Sequence, residues 1–346
     1  MKRKSIFIFA ILLFFVSLVY PTTKVNAAAD KSYSVQAVLP DNQIDQNESY
    51  FDLKVEPNKE QDLKVMIINT GSKSIKVQAE VNDAYTADSG VIGYDKYNVK
   101  LYKNQNPSLT SLVDGKRKTT VNLKVGQAKT VSFKVKSPST EYTGIILGGV
   151  TTTANVSPTK SKNINIKNQV RYVKGVVLRS KDDGVVPDMH LTNANPKSVA
   201  GNSGIAYTLD NTAPININEV TLKAKISHNS DNTNYSAKNL QIAPNSKFSY
   251  FIPVKDLSAG KYKAVITVKS KAGYEKTFTR TISVSKSDVD YIAEQAEAKT
   301  GRKSNQWIII IVGIIALILV ALWMFLYYSQ RNKKTGSHGK KTRSRK

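Results

Sequence analysis

No cysteine occurs among the 346 residues. That excludes a disulfide scaffold, a zinc ribbon, a thiol nucleophile and a thiolate-bound cluster together. Histidine is almost as scarce: His190, His228 and His338 lie far apart and leave little for imidazole catalysis or metal binding. There is no Gly-x-Ser-x-Gly nucleophile elbow. There is no Leu-Pro-x-Thr-Gly wall-sorting signal before the final apolar run, since Leu39-Pro40-Asp41 stands at the wrong end. Acid is the minority charge, with 26 Asp and Glu against 51 Lys and Arg. No catalytic or metal-ligating constellation emerges, and neither an enzyme nor a cofactor or metal is expected.

Apolar residues concentrate at the two ends. Met1-Lys2-Arg3-Lys4 is a basic opening, Ser5 to Val19 is apolar, and Val25-Asn26-Ala27 ends in a small residue. Residues 1–27 therefore read as a secretory signal peptide. Residues 307–328 form a second apolar run of 22 residues without charge. As a helix it would reach about 33 Å, enough for the hydrocarbon core of a bilayer. Trp307 at one end and Trp323, Tyr327 and Tyr328 at the other suit interfacial anchoring. Residues 329–346 carry eight positive charges, opening with Arg331, Lys333 and Lys334, and no acid. The positive-inside rule assigns this tail to the cytoplasm, against anionic lipid. Topology accounts for its charge, so no nucleic-acid partner is expected. The expectation is a single-pass protein of the cell membrane with its bulk outside the cell.

Residues 28–306 then keep 39 basic residues against all 26 acids, a net charge of +13. These charges are scattered through the pattern rather than blocked. A basic exterior fits a polyanionic setting such as a Gram-positive wall, within the 8–10 Å or so that salt leaves unscreened.

Between the ends the pattern is that of strands. Leu63, Val65 and Ile67 alternate with polar residues, as do Ile75, Val77, Ala79 and Val81, then Val121, Leu123 and Val125, then Val131, Phe133 and Val135. Ile145-Ile146-Leu147 suits a strand covered on both faces. Residues 151–163, polar and containing Pro158, read as a linker. Alternation resumes at Val220, Leu222, Ala224 and Ile226 and again at Tyr262, Ala264, Ile266 and Val268. The fold class expected is all-β: two tandem Ig-like sandwiches over 28–157 and 158–287, a helical stalk at 288–306 and one transmembrane helix.

Certain segments resemble a known family. Pro40-Asp41-Asn42-Gln43-Ile44-Asp45, Tyr50-Phe51-Asp52-Leu53-Lys54-Val55, Asn82-Asp83-Ala84-Tyr85-Thr86 and Tyr142-Thr143-Gly144-Ile145-Ile146-Leu147-Gly148-Gly149-Val150 are similar to the first domain of the WxL-interacting protein family of Gram-positive bacteria. Lys167-Asn168-Gln169-Val170-Arg171-Tyr172 and Ile242-Ala243-Pro244-Asn245-Ser246-Lys247-Phe248 resemble its second. The resemblance implies a peptidoglycan-binding first domain, a second domain that binds host matrix protein, and pairing with a secreted WxL-domain protein. It implies a non-enzymatic binder tethering WxL protein and peptidoglycan at the envelope, or else an adhesin for host extracellular matrix. Candidate binding residues are Asn42, Gln43, Tyr50, Gly144, Leu147, Gly148 and Gly149. The amides can hydrogen-bond sugar hydroxyls. Glycines in a strand allow close approach of a glycan or an added strand, or tight packing inside the sandwich.

Overall fold

The computed structural model describes residues 32–102, 106–161, 164–181 and 184–300, together with Ile314 and Ile318. The first sandwich opens with β1 (Ser34–Val38), β2 (Phe51–Lys54), β3 (Glu60–Ile68) and β4 (Ile75–Asp83). A small ribbon of β5 (Tyr85–Thr86) and β6 (Ile92–Gly93) and a 3-10 turn at Leu109–Leu112 follow, then β7 (Lys118–Leu123), β8 (Ala128–Lys136), β9 (Ile145–Ser161) and β10 (Ile164–Arg179). One sheet runs β1-β3-β8 and the facing sheet β2-β10-β9-β4-β7. The first edge of the chain is split between them. β1 pairs antiparallel with β3, while β2 crosses over and pairs in parallel with β10. Arg179 clamps that crossing, donating to both carboxylate oxygens of Asp52 at 2.7 and 3.2 Å.

Alternation explains the core. Leu63, Val65 and Ile67 of β3 are fully buried against Val77, Ala79 and Val81 of β4. Each of these Leu, Val and Ile side chains contributes roughly 1.5–3 kcal/mol when buried. Val125, expected to continue the β7 face, lies in the turn beyond it and is 58% exposed.

The second sandwich contains β11 (Met189–Val199), β12 (Asn202–Asn211), β13 (Ile217–His228), β14 (Asp231–Ile242), β15 (Ser246–Pro253), β16 (Gly260–Ser270) and β17 (Glu275–Val284). Its sheets run β11-β12-β15 and β14-β13-β16-β17. The chain changes sheet after β12, β14 and β15, the Greek-key path of an immunoglobulin-like domain.

Three expectations are corrected by this architecture. Residues 151–161 are strand rather than linker. β9 and β10 pair as one long hairpin whose strands join the five-stranded sheet of the first sandwich. Threonine is a good strand former, and Thr151 and Thr152 are fully buried. Pro158 is accommodated because the register shifts between Ile166 and Asn168, which leaves two residues of β9 opposite one of β10.

The helix α1 (Lys286–Thr300) is not a free stalk, for Ile292 and Val289 pack into the second core. Ser285 and Asp288 cap its start reciprocally: Ser285 N–H reaches Asp288 Oδ2 at 2.9 Å, and Asp288 N–H reaches Ser285 Oγ at 3.1 Å.

Finally, the transmembrane helix and the single-pass membrane placement are not supported. Among the described residues no helix is long and apolar enough to cross a membrane. A span requires a continuous helix of about 20 apolar residues, and α1 has 15 residues of mixed polarity. Apart from Ile314 and Ile318, residues 307–328 lie outside the described residues. So do the signal at 1–27, the tail, and the anchors Trp307, Trp323, Tyr327, Tyr328, Arg331, Lys333 and Lys334.

Candidate functional site

The outer face of the five-stranded sheet has two halves. Ile145, Leu147 and Val177 form an apolar end with Ala84, and Ala243 of the second sandwich closes over it. The two sandwiches are bonded here. Ile145 N–H donates to Pro214 O, Gln241 N–H to Gly90 O and Tyr102 N–H to Asn245 O, each at 2.8 Å. Thr86 Oγ1 lies 2.5 Å from Ser246 Oγ and accepts from Ala243 N–H at 2.9 Å. Tyr102 OH donates to the fully buried carboxylate of Asp210, and that bond pushes the Tyr102 pKa up to about 12.

The other half is polar and aromatic. Gln78, Glu80 and Asn82 alternate outward on β4, opposite Thr153, Thr151 and Gly149 of β9. Glu80 is 8% exposed. Its carboxylate accepts from Gln78 Nε2 at 3.1 Å and Asn82 Nδ2 at 3.2 Å, with Lys118 Nζ at 3.9 Å. The segment after β6 folds back across this row. Tyr94 O takes hydrogen bonds from Asn82 Nδ2 at 2.9 Å and Thr151 Oγ1 at 2.7 Å. Asp95 bridges Tyr85 OH at 2.5 Å and Arg171 Nη1 at 2.9 Å. The Tyr85 bond, foremost among several contacts, holds the Asp95 carboxyl below its ordinary range. Burial, with Asp95 second, pushes Tyr85 up to about 12.

Lys96 Nζ sits 4.0 Å from the Tyr85 ring centre and the Arg117 guanidinium 3.6 Å from that of Tyr97. Tyr97 itself is 44% exposed. The patch thus offers an aromatic ring, a carboxylate and several cations around a hydrogen-bonded floor. Such a set suits a sugar polymer bearing carboxylates, since rings stack on sugar faces while cations meet the acids. Asn82 Oδ1 is buried there without a hydrogen-bond partner among the described residues.

The candidates from sequence fall around this face. Gln43 is buried and fully engaged: Nε2 donates to Asp45 O and Tyr50 O, both at 3.1 Å, and Oε1 accepts from Asp52 N–H at 3.0 Å. Asn42 Nδ2 donates to Lys54 O at 2.8 Å. Both build the loop that carries the chain from β1 to β2. Tyr50 and Leu147 belong to the apolar cluster beneath Ala243. Gly144 has φ +76° and touches Pro214 of the second sandwich, whose Cγ would lie 3.0 Å from an added Cβ.

Gly148 faces the core. A Cβ there would run into Leu109 and stand 2.5 Å from Asn82 O. At Gly149 a Cβ would come within 3.1 Å of the Tyr94 ring and 3.0 Å of Val173. The two glycines admit Leu109 on one side and Tyr94 on the other. Tyr97, Arg117, Asp95 and Arg171 carry no spacing signal that joins them, because folding alone brings them together. The run Tyr94-Asp95-Lys96-Tyr97 is the sole local hint.

Two domain models match. The peptidoglycan binding domain of the WxL Interacting Protein family covers residues 33–154, and the host binding domain of the same family covers 161–294. The chain belongs to the WxL Interacting Protein family. Both models describe binding domains, not enzymes. The polar and aromatic face lies largely within the first, with Arg171 just beyond it. No curated protein matches the chain.

Among solved structures, the YadV chaperone is 11% identical over 72% of this chain and 100% of its own, at a TM-score of 0.26. The E. coli chaperone DraB is 15% identical over 72% and 98%, at 0.27. The Salmonella enterica SafA pilin in complex with the SafB chaperone matches at 11% over 66% and 98%, at 0.25. Likeness this loose says nothing about what this chain binds.

Proposed function

We propose that this chain is a non-enzymatic adaptor of the cell surface. Its first sandwich grips peptidoglycan through the face around Tyr97 and Arg117. Its second engages a host matrix component. The whole holds a secreted WxL-domain protein beside the wall. The observation that carries this reading is the solvent-facing aromatic and charged patch within the domain matched as peptidoglycan binding. Peptidoglycan combines sugar faces with peptide carboxylates, and the patch presents the complement of both.

The hydrogen-bonded joint between the sandwiches supports an adaptor, since fixed geometry holds two binders at a set spacing and raises their effective concentration without new contacts. The test uses the full chain as bait on the wall fraction of the producing cell, with retained proteins identified by mass spectrometry. Retention of a WxL-domain protein together with peptidoglycan is the expected result. Retention of neither overturns the reading.

A further inference from the structure

The outer face of the four-stranded sheet in the second sandwich differs in kind from the patch on the first. Strand alternation sends Leu222, Ala224 and Ile226 into the core and Lys223 and Lys225 outward, both exposed. On the neighbouring β16, Tyr262 and Ala264 point inward while Lys261 and Lys263 point outward, also exposed. Register fixes their arrangement. Lys223 stands opposite Thr267, Lys225 opposite Val265, and Lys263 opposite Ser227. The four lysines therefore form one line crossing from β13 to β16. Each step of two residues covers about 6.8 Å, so the line is about 20 Å long.

Two acids bordering this face are each already taken: Glu275 by Lys269 at 2.8 Å and Glu219 by Lys271 at 3.2 Å. The remaining outward positions are mostly hydroxyls and amides, including Asn234, Ser236, Thr277 and Thr279. A shallow depression of about 420 Å³ runs between β13, β14 and β16, with Lys223, Lys225, Asn234 and Ser236 in its lining.

Tyr235 also lines the depression, but it is partly buried against the second core with its hydroxyl 3.0 Å from that of Tyr250, so its ring is not laid open beside these lysines. A neutral glycan, which needs a ring to stack on, has little to hold there. A linear polyanion does: its charged groups meet the lysine line, its hydroxyls meet Thr, Ser and Asn, and a flat sheet face needs no preformed pocket. Four like charges held in a row also gain when an anionic chain neutralises them.

We propose that this face binds a sulfated polysaccharide of the host matrix, laid along Lys223, Lys225, Lys263 and Lys261. The proposal rests on the reading of the second sandwich as the host-binding domain, and narrows that partner from a host component in general to an anionic glycan chain.

The test measures binding of the purified full chain to immobilised heparan sulfate. Parallel arms use the same polymer after desulfation, purified wall teichoic acid and a host matrix protein. The expected result is binding to the sulfated chain that weakens steeply with added salt. It should weaken on the order of tenfold or more in K223T/K225T/K261T/K263T. That variant keeps a strand-forming residue at each site, and an unchanged thermal transition certifies its fold. K271T, whose lysine pairs with Glu219 at 3.2 Å rather than joining the line, should bind as the parent does.

Equal binding of the desulfated polymer, or full binding by the quadruple variant, overturns the proposal. Tighter binding of teichoic acid than of the sulfated chain overturns the choice of occupant. If matrix protein is retained while the sulfated chain is not, this proposal fails alone. If neither is retained, the host-binding reading fails with it.

Discussion

Adding one methyl group at Gly144 separates two accounts of how the sandwiches are joined. Gly144 has φ +76°, and an alanine Cβ there would collide with Pro214, whose carbonyl accepts the Ile145 N–H across the domain boundary. Gly115 is its control, with φ +86° and nothing within 4 Å of an added Cβ. Both substitutions impose the left-handed backbone on a side chain, at about 1–2 kcal/mol. Both also remove a similar amount of unfolded-chain entropy, which cancels in the comparison.

Only Gly144→Ala must push Pro214 away. That adds about 1 kcal/mol for the hydrogen bond and about 1–3 kcal/mol for overpacking. Its cost is therefore about 3–6 kcal/mol, against about 1–2 kcal/mol for Gly115→Ala. At about 3 °C per kcal/mol, the melting point falls by about 9–18 °C for G144A and about 3–6 °C for G115A. Scanning calorimetry on the full chain reads both. One cooperative transition in the parent should broaden or divide in G144A, because its lesion lies between the two cores. Equal shifts for the two variants would show that the interface at Pro214 is not tight and would refute the argument for a fixed joint.

Other consequences concern single sites. Gly148→Ala drives a methyl into Leu109 and Asn82 O inside the core and should cost about 1–3 kcal/mol in denaturant unfolding. Ser285→Ala removes the cap of α1 and should cost about 1 kcal/mol, visible as earlier amide exchange across 286–292. Tyr33, Tyr85 and Tyr102 are each pushed up to about 12, foremost by burial in the first two and by the Asp210 hydrogen bond in Tyr102. Unfolded tyrosine ionises near 10, so above that pH the unfolded chain releases protons that the folded chain keeps. Stability should be intact below pH 10 and fall as pH rises from about 10 through about 12. Phenolate absorbance should rise together with loss of structure, and early ionisation in the intact fold would contradict the burial.

Much of the fold was legible as period-two alternation. Leu63, Val65 and Ile67, and Ala224 and Ile226, are buried where the pattern put them. The continuous run Ile145-Ile146-Leu147 is covered on both faces: Ile146 lies in the first core, and its neighbours lie beneath Ala243. The end of β9 was hidden because Thr151-Thr152-Thr153 reads as polar, whereas threonine in a strand can bury its methyl and bond its hydroxyl, as Thr151 does to Tyr94 O. The patch was less legible still. Tyr97 and Arg117 are twenty residues apart, and their contact depends on the loop after β6 folding over β4 and β9. The glycines and amides that stood out serve packing and loop closure instead, since a residue made necessary by local geometry is as distinctive in sequence as one that touches a ligand.

The central claim, that the first sandwich holds peptidoglycan through the face around Tyr97, is tested most directly by sedimenting the purified full chain with purified peptidoglycan. The parent is compared with Tyr97→Ala and Arg117→Ala. Tyr97 is 44% exposed, so its loss should change stability by no more than about 0.5 kcal/mol. The account predicts that the parent co-sediments and that each variant, still folded, is retained on the order of tenfold less, the effect of about 1.4 kcal/mol. Undiminished retention of both variants would place the peptidoglycan contact elsewhere on the molecule and contradict the account.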